Sequence, residues 1–172
     1  MERIDLHKMF MNIALEVSKR STCTRVNVGA LIVKNQRIIS MGWNGVPSGK
    51  QHCSDHFYNR FMKEKACEYS SNIDLDKMFN EWINTSRMKE EHHNFAIRNE
   101  IHGEMNAILA AAKAGISIDG ADLYVTWSPC IDCAKSLLQI GIKNVYYNYK
   151  YDREPLGIDF LEENGVKCWE IK

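Results

Sequence analysis

Leu6, Phe10, Ile13, Ala14 and Val17 recur at helical spacing and predict an amphipathic helix over residues 4–20. Two β-rich runs follow, at 28–34 and 37–43, and Asn35-Gln36 between them is short enough for a tight antiparallel hairpin. Pro47, Ser48 and Gly49 then break the pattern. From about 50 to 100 the chain is polar, with His52, His56, His92 and His93 and helical stretches such as 76–91. Its apolar content is thin, so it reads as an insertion within one domain spanning 1–172. Regularity returns at Ile101. Met105, Ile108, Leu109 and Ala112 mark a helix ended by Gly115, and 122–127 reads as a strand. Pro129 suits the first turn of a helix running to about Gly141. Residues 143–149 form another strand, 158–163 a helix and 166–171 a last strand. Strand–helix–strand units after an opening hairpin predict an α/β fold, a mixed five-stranded sheet with helices on both faces.

Composition narrows the class. A chain of 172 residues suffices for one domain with a sizeable core. Lys plus Arg and Asp plus Glu both number 22, so the net charge is zero. A protein that binds long nucleic acid usually carries a basic footprint, and neutrality favours a small ligand. No apolar run approaches the length needed to span a bilayer, and the charged start, Met1 to Lys8, has no signal-peptide core. A cytoplasmic protein, bacterial or made in an infected cell, is therefore expected. In that reducing compartment the six cysteines read as free thiols or metal ligands.

Cys130 and Cys133, two residues apart, give that reading its point. His102-Gly103-Glu104 opens one helix, Pro129-Cys130-Ile131-Asp132-Cys133 opens another, and a strand runs between. Such a layout brings one imidazole and two thiolates together at two helix N-termini, where partial positive charge favours the thiolate. Three protein ligands leave one tetrahedral position of Zn²⁺ for water, the arrangement of a catalytic zinc, and the ion lowers that water's pKa. Glu104 is then placed beside the metal as a general base and later a general acid. A lone Cys-x-x-Cys more often marks structural zinc or redox chemistry. Joined in order to His-x-Glu, it matches the zinc-deaminase signature.

With these motifs the sequence resembles the deoxycytidylate deaminase family, above all its bacterial and phage members. The resemblance rests on Arg20 to Arg25 with Val28-Gly29-Ala30, on Gly42-Trp43-Asn44-Gly45, on Ile101 to Ile108, on Ser128 to Lys135, and on Gly141-Ile142-Lys143 with Tyr151-Asp152. It implies a cytidine deaminase-like three-layer sandwich and hydrolysis of dCMP to dUMP and ammonia, feeding thymidylate synthesis. It implies His102, Cys130 and Cys133 as zinc ligands and Glu104 as proton shuttle. Arg25 would meet the 5′-phosphate, Asn44 the deoxyribose, and Tyr151 would lie over the nucleotide. A second, structural metal is implied at Cys23, Cys53, His92 and Glu100, while Cys67 and Cys168 read as ordinary thiols. The resemblance further implies a homo-oligomer, a hexamer, activated by dCTP and inhibited by dTTP with Mg²⁺. Gly42, Trp43, Asn44, Gly45 and Lys113 would form the effector site. Two positions depart from the family: Gly103 stands where alanine is usual, and Trp43 where tyrosine is usual.

Three other readings compete. A tRNA-editing adenosine deaminase shares both zinc motifs but needs a basic surface and has no use for the insertion, Arg25 or Tyr151. A bifunctional dCMP/dCTP deaminase is separated only by assay. A non-catalytic zinc-scaffolded module has no need of a carboxylate beside an open coordination position.

Overall fold

In the computed structural model, Asn35 and Gln36 both adopt left-handed backbone, with φ of 50° and 59°. This is the two-residue hairpin turn whose twist matches that of the strands it joins. It pairs β1 (Gly29–Lys34) antiparallel with β2 (Arg37–Trp43). β1 also pairs antiparallel with β3 (Asp122–Trp127), which runs parallel to β4 (Asn144–Tyr149), itself parallel to β5 (Lys167–Glu170). The sheet is mixed, five-stranded and ordered β2-β1-β3-β4-β5. The structure describes residues 3–65, 74–151 and 155–172, so Cys67 and Asp152 lie outside it.

The period of two along the strands sets the layers. Leu31, Val33, Tyr124 and Tyr146 turn to one face and pack on Phe10, Met11 and Ala14 of α1 (Leu6–Ser18). Ala30, Ile32, Leu123, Val125, Val145 and Tyr147 turn to the other. They meet α5 (Gly103–Lys113), α6 (Ile131–Gln139) and α7 (Leu156–Glu163) through Ala107, Ile108, Ala111, Ala134, Leu137 and Leu161. The three-layer α/β architecture is as expected. One detail differs: Cys130, extended at φ −70° and ψ 167°, is the N-cap of α6, so Pro129 lies outside the first turn.

These elements make up one compact unit, comprising the chain up to Ser21, Asn27–Asn44 and His102–Lys172; a second comprises Thr22–Val26 and Gly45–Ile101. The second unit contains α2 (Cys53–Lys65), α3 (Leu75–Ile83) and α4 (Ser86–Asn99). A single helix over 76–91 is not formed. Thr85 interrupts it, accepting a hydrogen bond from Met88 N–H as the N-cap of α4 while its hydroxyl donates to Trp82 O. Although this stretch is polar on average, Phe57, Phe61, Trp82, Ile83 and Met88 gather with Cys53 into a buried cluster. Glu64 ties its rim together, accepting from Arg60, Arg87 and the Trp82 indole N–H. The unit is closed by an antiparallel bridge in which Gly45 and Ile101 exchange N–H···O bonds of 3.1 and 2.8 Å. Among the described residues no helix is long and apolar enough to cross a membrane.

Candidate active site

Both halves of the metal motif sit where a helix begins. His102 and Cys130 are the N-cap residues of α5 and α6, and neither caps its helix with its side chain. Their carbonyls accept the first helical bonds, from Asn106 and Ala134, which leaves imidazole and thiol to point elsewhere. Cys133 follows in the first turn of α6 and is buried. The Cys130 and Cys133 sulfurs each lie 3.4 Å from His102 Nδ1. With zinc bonds to sulfur and nitrogen of about 2.3 and 2.1 Å, the edge of the ligand tetrahedron is about 3.6 Å. The three donors thus already stand at ligand spacing.

Charge tells the same story. Hydrogen bonding with Cys133 holds the Cys130 thiol down to about 4, and the same bond pushes Cys133 well above the usual thiol range. Without a cation, one negative charge is shared by two sulfurs; two thiolates this close call for a metal. Glu104, in the first turn of α5, is only 4% exposed. Burial raises its carboxyl above the ordinary value, and the group hydrogen-bonds to Cys133.

A second cluster lies within the second unit. Cys23 and Cys53 Sγ are 3.3 and 3.4 Å from His92 Nε2, and Glu100 completes a set whose donor atoms all lie within 4.8 Å of one another. Cys23 is lowered to about 3 by its bond with Cys53, which is raised in turn. Burial beside Cys23 lifts Glu100 to about 7, and its Oε1 is buried without a hydrogen-bond partner. Among the described residues the donor sets differ in number: four here can fill a tetrahedron, whereas three at His102 leave it open.

The sequence profile of the cytidine and deoxycytidylate deaminase zinc-binding region matches residues 4–149. The deoxycytidylate deaminase of Enterobacteria phage T4 is 37% identical over 175 residues, covering 94% of this chain and 87% of its own. ComE operon protein 2 of Bacillus subtilis is 36% identical over all of this chain and 74% of its own. A crystal structure of dCMP deaminase from the cyanophage S-TIM5, in complex with dCMP and dUMP, superposes with a TM-score of 0.69 at 32% identity, covering 99% of this chain and 100% of that one. The chain belongs to the cytidine and deoxycytidylate deaminase family.

The remaining residues expected of such a deaminase are held in different ways. Asn44 is buried, its Oδ1 accepting from Val28 N–H at 2.8 Å and its own N–H donating to Val28 O at 3.1 Å, so the amide is oriented by a backbone clamp. Tyr151 is half-buried and lies, with Asn44, in the first unit; Arg25 lies in the second, where its Nη1 is buried without a hydrogen-bond partner. In the Gly42-to-Gly45 loop, Gly42 abuts the backbone of Gly103, Asn106 and Ala107. Trp43 O accepts from Asn106 Nδ2, and the Arg20 guanidinium lies 5.7 Å from the Trp43 ring centroid. Lys113 is exposed in the last turn of α5. A Cβ on Gly103 would meet Val28 Cγ1 at 3.1 Å and Val28 O at 3.2 Å, which gives its departure from alanine a local context. Sequence reasoning passed over Ser128, a buried residue whose hydroxyl accepts from Tyr151 N–H at 2.8 Å. Its position directly before Pro129-Cys130 was the available signal. Cys168 is half-buried, and burial pushes it up to about 12, an unreactive thiol.

Proposed function

We propose that this chain hydrolyses dCMP to dUMP and ammonia, with His102, Cys130 and Cys133 holding a catalytic zinc and Glu104 moving the protons. One observation carries this reading: a buried carboxyl, Glu104, sits against Cys133 in a cluster that has, among the described residues, three donors and not four. A zinc ion there would supply a water of lowered pKa close to the cytosine ring. Glu104 would take one proton of the attacking water and deliver it to N3 as the oxygen bonds to C4. It would then take the second proton from the resulting C4 hydroxyl and deliver it to the amino nitrogen, which leaves as ammonia as the C4–N4 bond breaks. Its burial suits the work, because desolvation raises the carboxyl above its ordinary value and so strengthens its hold on the proton it must carry between transfers.

Arg25 is assigned to the 5′-phosphate, where a guanidinium can bind two oxygens at once. Asn44 is assigned to the deoxyribose and Tyr151 to the face of the nucleotide. These assignments rest on the family resemblance and on the dCMP and dUMP in the cyanophage deaminase. Cys23, Cys53, His92 and Glu100 would hold a structural zinc that joins the segment around Cys23 to the insertion of a single catalytic domain. The product would feed thymidylate synthesis in the cytoplasm. A homohexamer activated by dCTP and inhibited by dTTP, each with Mg²⁺, belongs to the same reading, with Gly42, Trp43, Asn44, Gly45 and Lys113 as the effector site.

Loss of cytosine absorbance with dCMP, dCTP, deoxycytidine and CMP tests the activity. Turnover of dCMP above the others supports the assignment, and turnover of none overturns it. A dCMP saturation curve with and without dCTP tests regulation. A coupling of about 1–3 kcal/mol would shift apparent affinity about 5–150-fold, whereas curves indifferent to dCTP and dTTP would leave Trp43 a structural residue.

A further inference from the structure

The zinc motif does not by itself fix where Cys130 stands. Tyr149 at the end of β4, Tyr151, and Gly157 in α7 close on the segment Ser128 to Cys130. On one side Ser128 N–H donates to Tyr149 O, and Ser128 Oγ accepts from Tyr151 N–H, both at 2.8 Å. On the other, Gly157 in the first turn of α7 lies flat against the Pro129–Cys130 backbone. A Cβ built on Gly157 would stand 2.9 Å from the carbonyl carbons of Pro129 and Cys130, and closer still to Pro129 O. Those atoms are backbone, not the ends of flexible side chains, so a methyl group there must displace either α7 or the residue that presents the thiolate. Ser128 and Gly157 are themselves buried, and close-packed interiors pass such a displacement on.

The geometry points to Gly157 and Ser128 as positioning residues for Cys130, setting the affinity of the catalytic metal site from outside its ligand motif. The inference rests on the assignment of Cys130 as a zinc ligand. Its physical basis is the narrow tolerance of the site: the Cys130 sulfur stands 3.4 Å from His102 Nδ1, and workable ligand distances vary by only about 0.2 Å. A side chain at 157 moves the Cys130 backbone by more than that. Loss of the Ser128 hydroxyl unties the same segment from Tyr151 more gently, and without adding volume.

The test follows release of zinc from the holoprotein into excess 4-(2-pyridylazo)resorcinol, for wild type, Gly157→Ala, Ser128→Ala and Leu161→Ala. Leu161 is a fully buried core residue of α7, one turn beyond Gly157. Its truncation destabilises the helix packing without touching Cys130. Loss of groups that orient metal ligands typically costs about 10–100-fold in metal affinity, so Gly157→Ala is expected to release one zinc per chain about 10–100-fold faster. Ser128→Ala, which removes one hydrogen bond, should release it about 2–10-fold faster. Leu161→Ala should melt lower yet release zinc at the wild-type rate. Wild-type release from both Gly157→Ala and Ser128→Ala overturns the inference. So does Leu161→Ala accelerating release as much as Gly157→Ala, because stability alone would then explain the effect. If Gly157→Ala yields no folded protein, Ser128→Ala decides. A wild-type protein that carries no zinc removes the ligand assignment itself, a failure distinct from the other two.

Discussion

Replacing Glu104 with glutamine separates what the carboxyl does for the reaction from what it does for the fold. The side chain is 4% exposed, and its burial penalises the charged form. Glutamine keeps the volume and removes the charge, so no cavity opens and no ion has to be buried. Thermal stability should therefore stay level or rise, and zinc content should not change, because Glu104 is not among the three donors. Catalysis should behave differently. Glutamine cannot accept the water's proton or pass one to N3 and the amine. A general acid–base group contributes about 10²–10⁴-fold, equivalent to about 2.7–5.5 kcal/mol of barrier, and a residue serving several transfers belongs at the upper end. The assay is loss of cytosine absorbance, run beside zinc analysis and a melting curve. Turnover within 10-fold of wild type would remove Glu104 from the mechanism, and loss of zinc would make it a ligand. Cys130→Ser provides the contrast, since it should lose metal and activity together.

The second cluster predicts two zinc ions per chain, and Cys53→Ser should leave one and lower the melting temperature. A metal at about 1,000 times its dissociation constant adds about 4.1 kcal/mol to folding, and a stoichiometry of one in the wild type after zinc supplementation would refute the site. Gly103→Ala should stay within about 1 kcal/mol of wild type in urea unfolding, because the gain in helix propensity offsets the tight contact with Val28. It should shift the KM for dCMP through the Val28–Asn44 clamp, and an unchanged KM would disconnect Asn44 from the substrate. Glu64→Ala should destabilise the second unit by about 1–3 kcal/mol, since it leaves the largely buried Trp82 indole N–H without its acceptor. A change below about 0.5 kcal/mol would show that the donor finds another partner.

The parts of the structure legible in the sequence are those set by local chemistry. Alternation and a two-residue turn specify the β1–β2 hairpin, and β3 falls at 122–127 as its pattern of side chains requires. Helix limits are set by backbone details that periodicity does not carry. The apolar pattern runs on through Asn84-Thr85, yet Thr85 caps a new helix there. Pro129 is compatible with a first turn, yet the cap is Cys130. Residue types and spacing point to His102, Cys130 and Cys133, whereas Cys23, Cys53, His92 and Glu100 are expected only through the family resemblance. The contact of Gly157 with Pro129–Cys130 was not readable, because a glycine carries no sign of which distant backbone will press against it.

The bridge between Gly45 and Ile101 has a consequence for how the chain finds this fold. Between β2 and α5 the polypeptide makes an excursion of more than fifty residues, and bringing the ends of so long a flexible loop together costs about 3.5 kcal/mol of entropy. In this protein that cost need not fall on the sheet. Phe57, Phe61, Trp82 and Met88 give the excursion a nucleus of its own. Once formed, it holds its entry and exit side by side through two backbone hydrogen bonds. To the rest of the chain the detour then counts as a connection of a few residues, so the effective contact order of joining β2 to α5 falls. Shortening the excursion to a tight turn across Gly45 and Ile101 should therefore speed assembly of the sheet, while an unstructured linker of the original length should slow it.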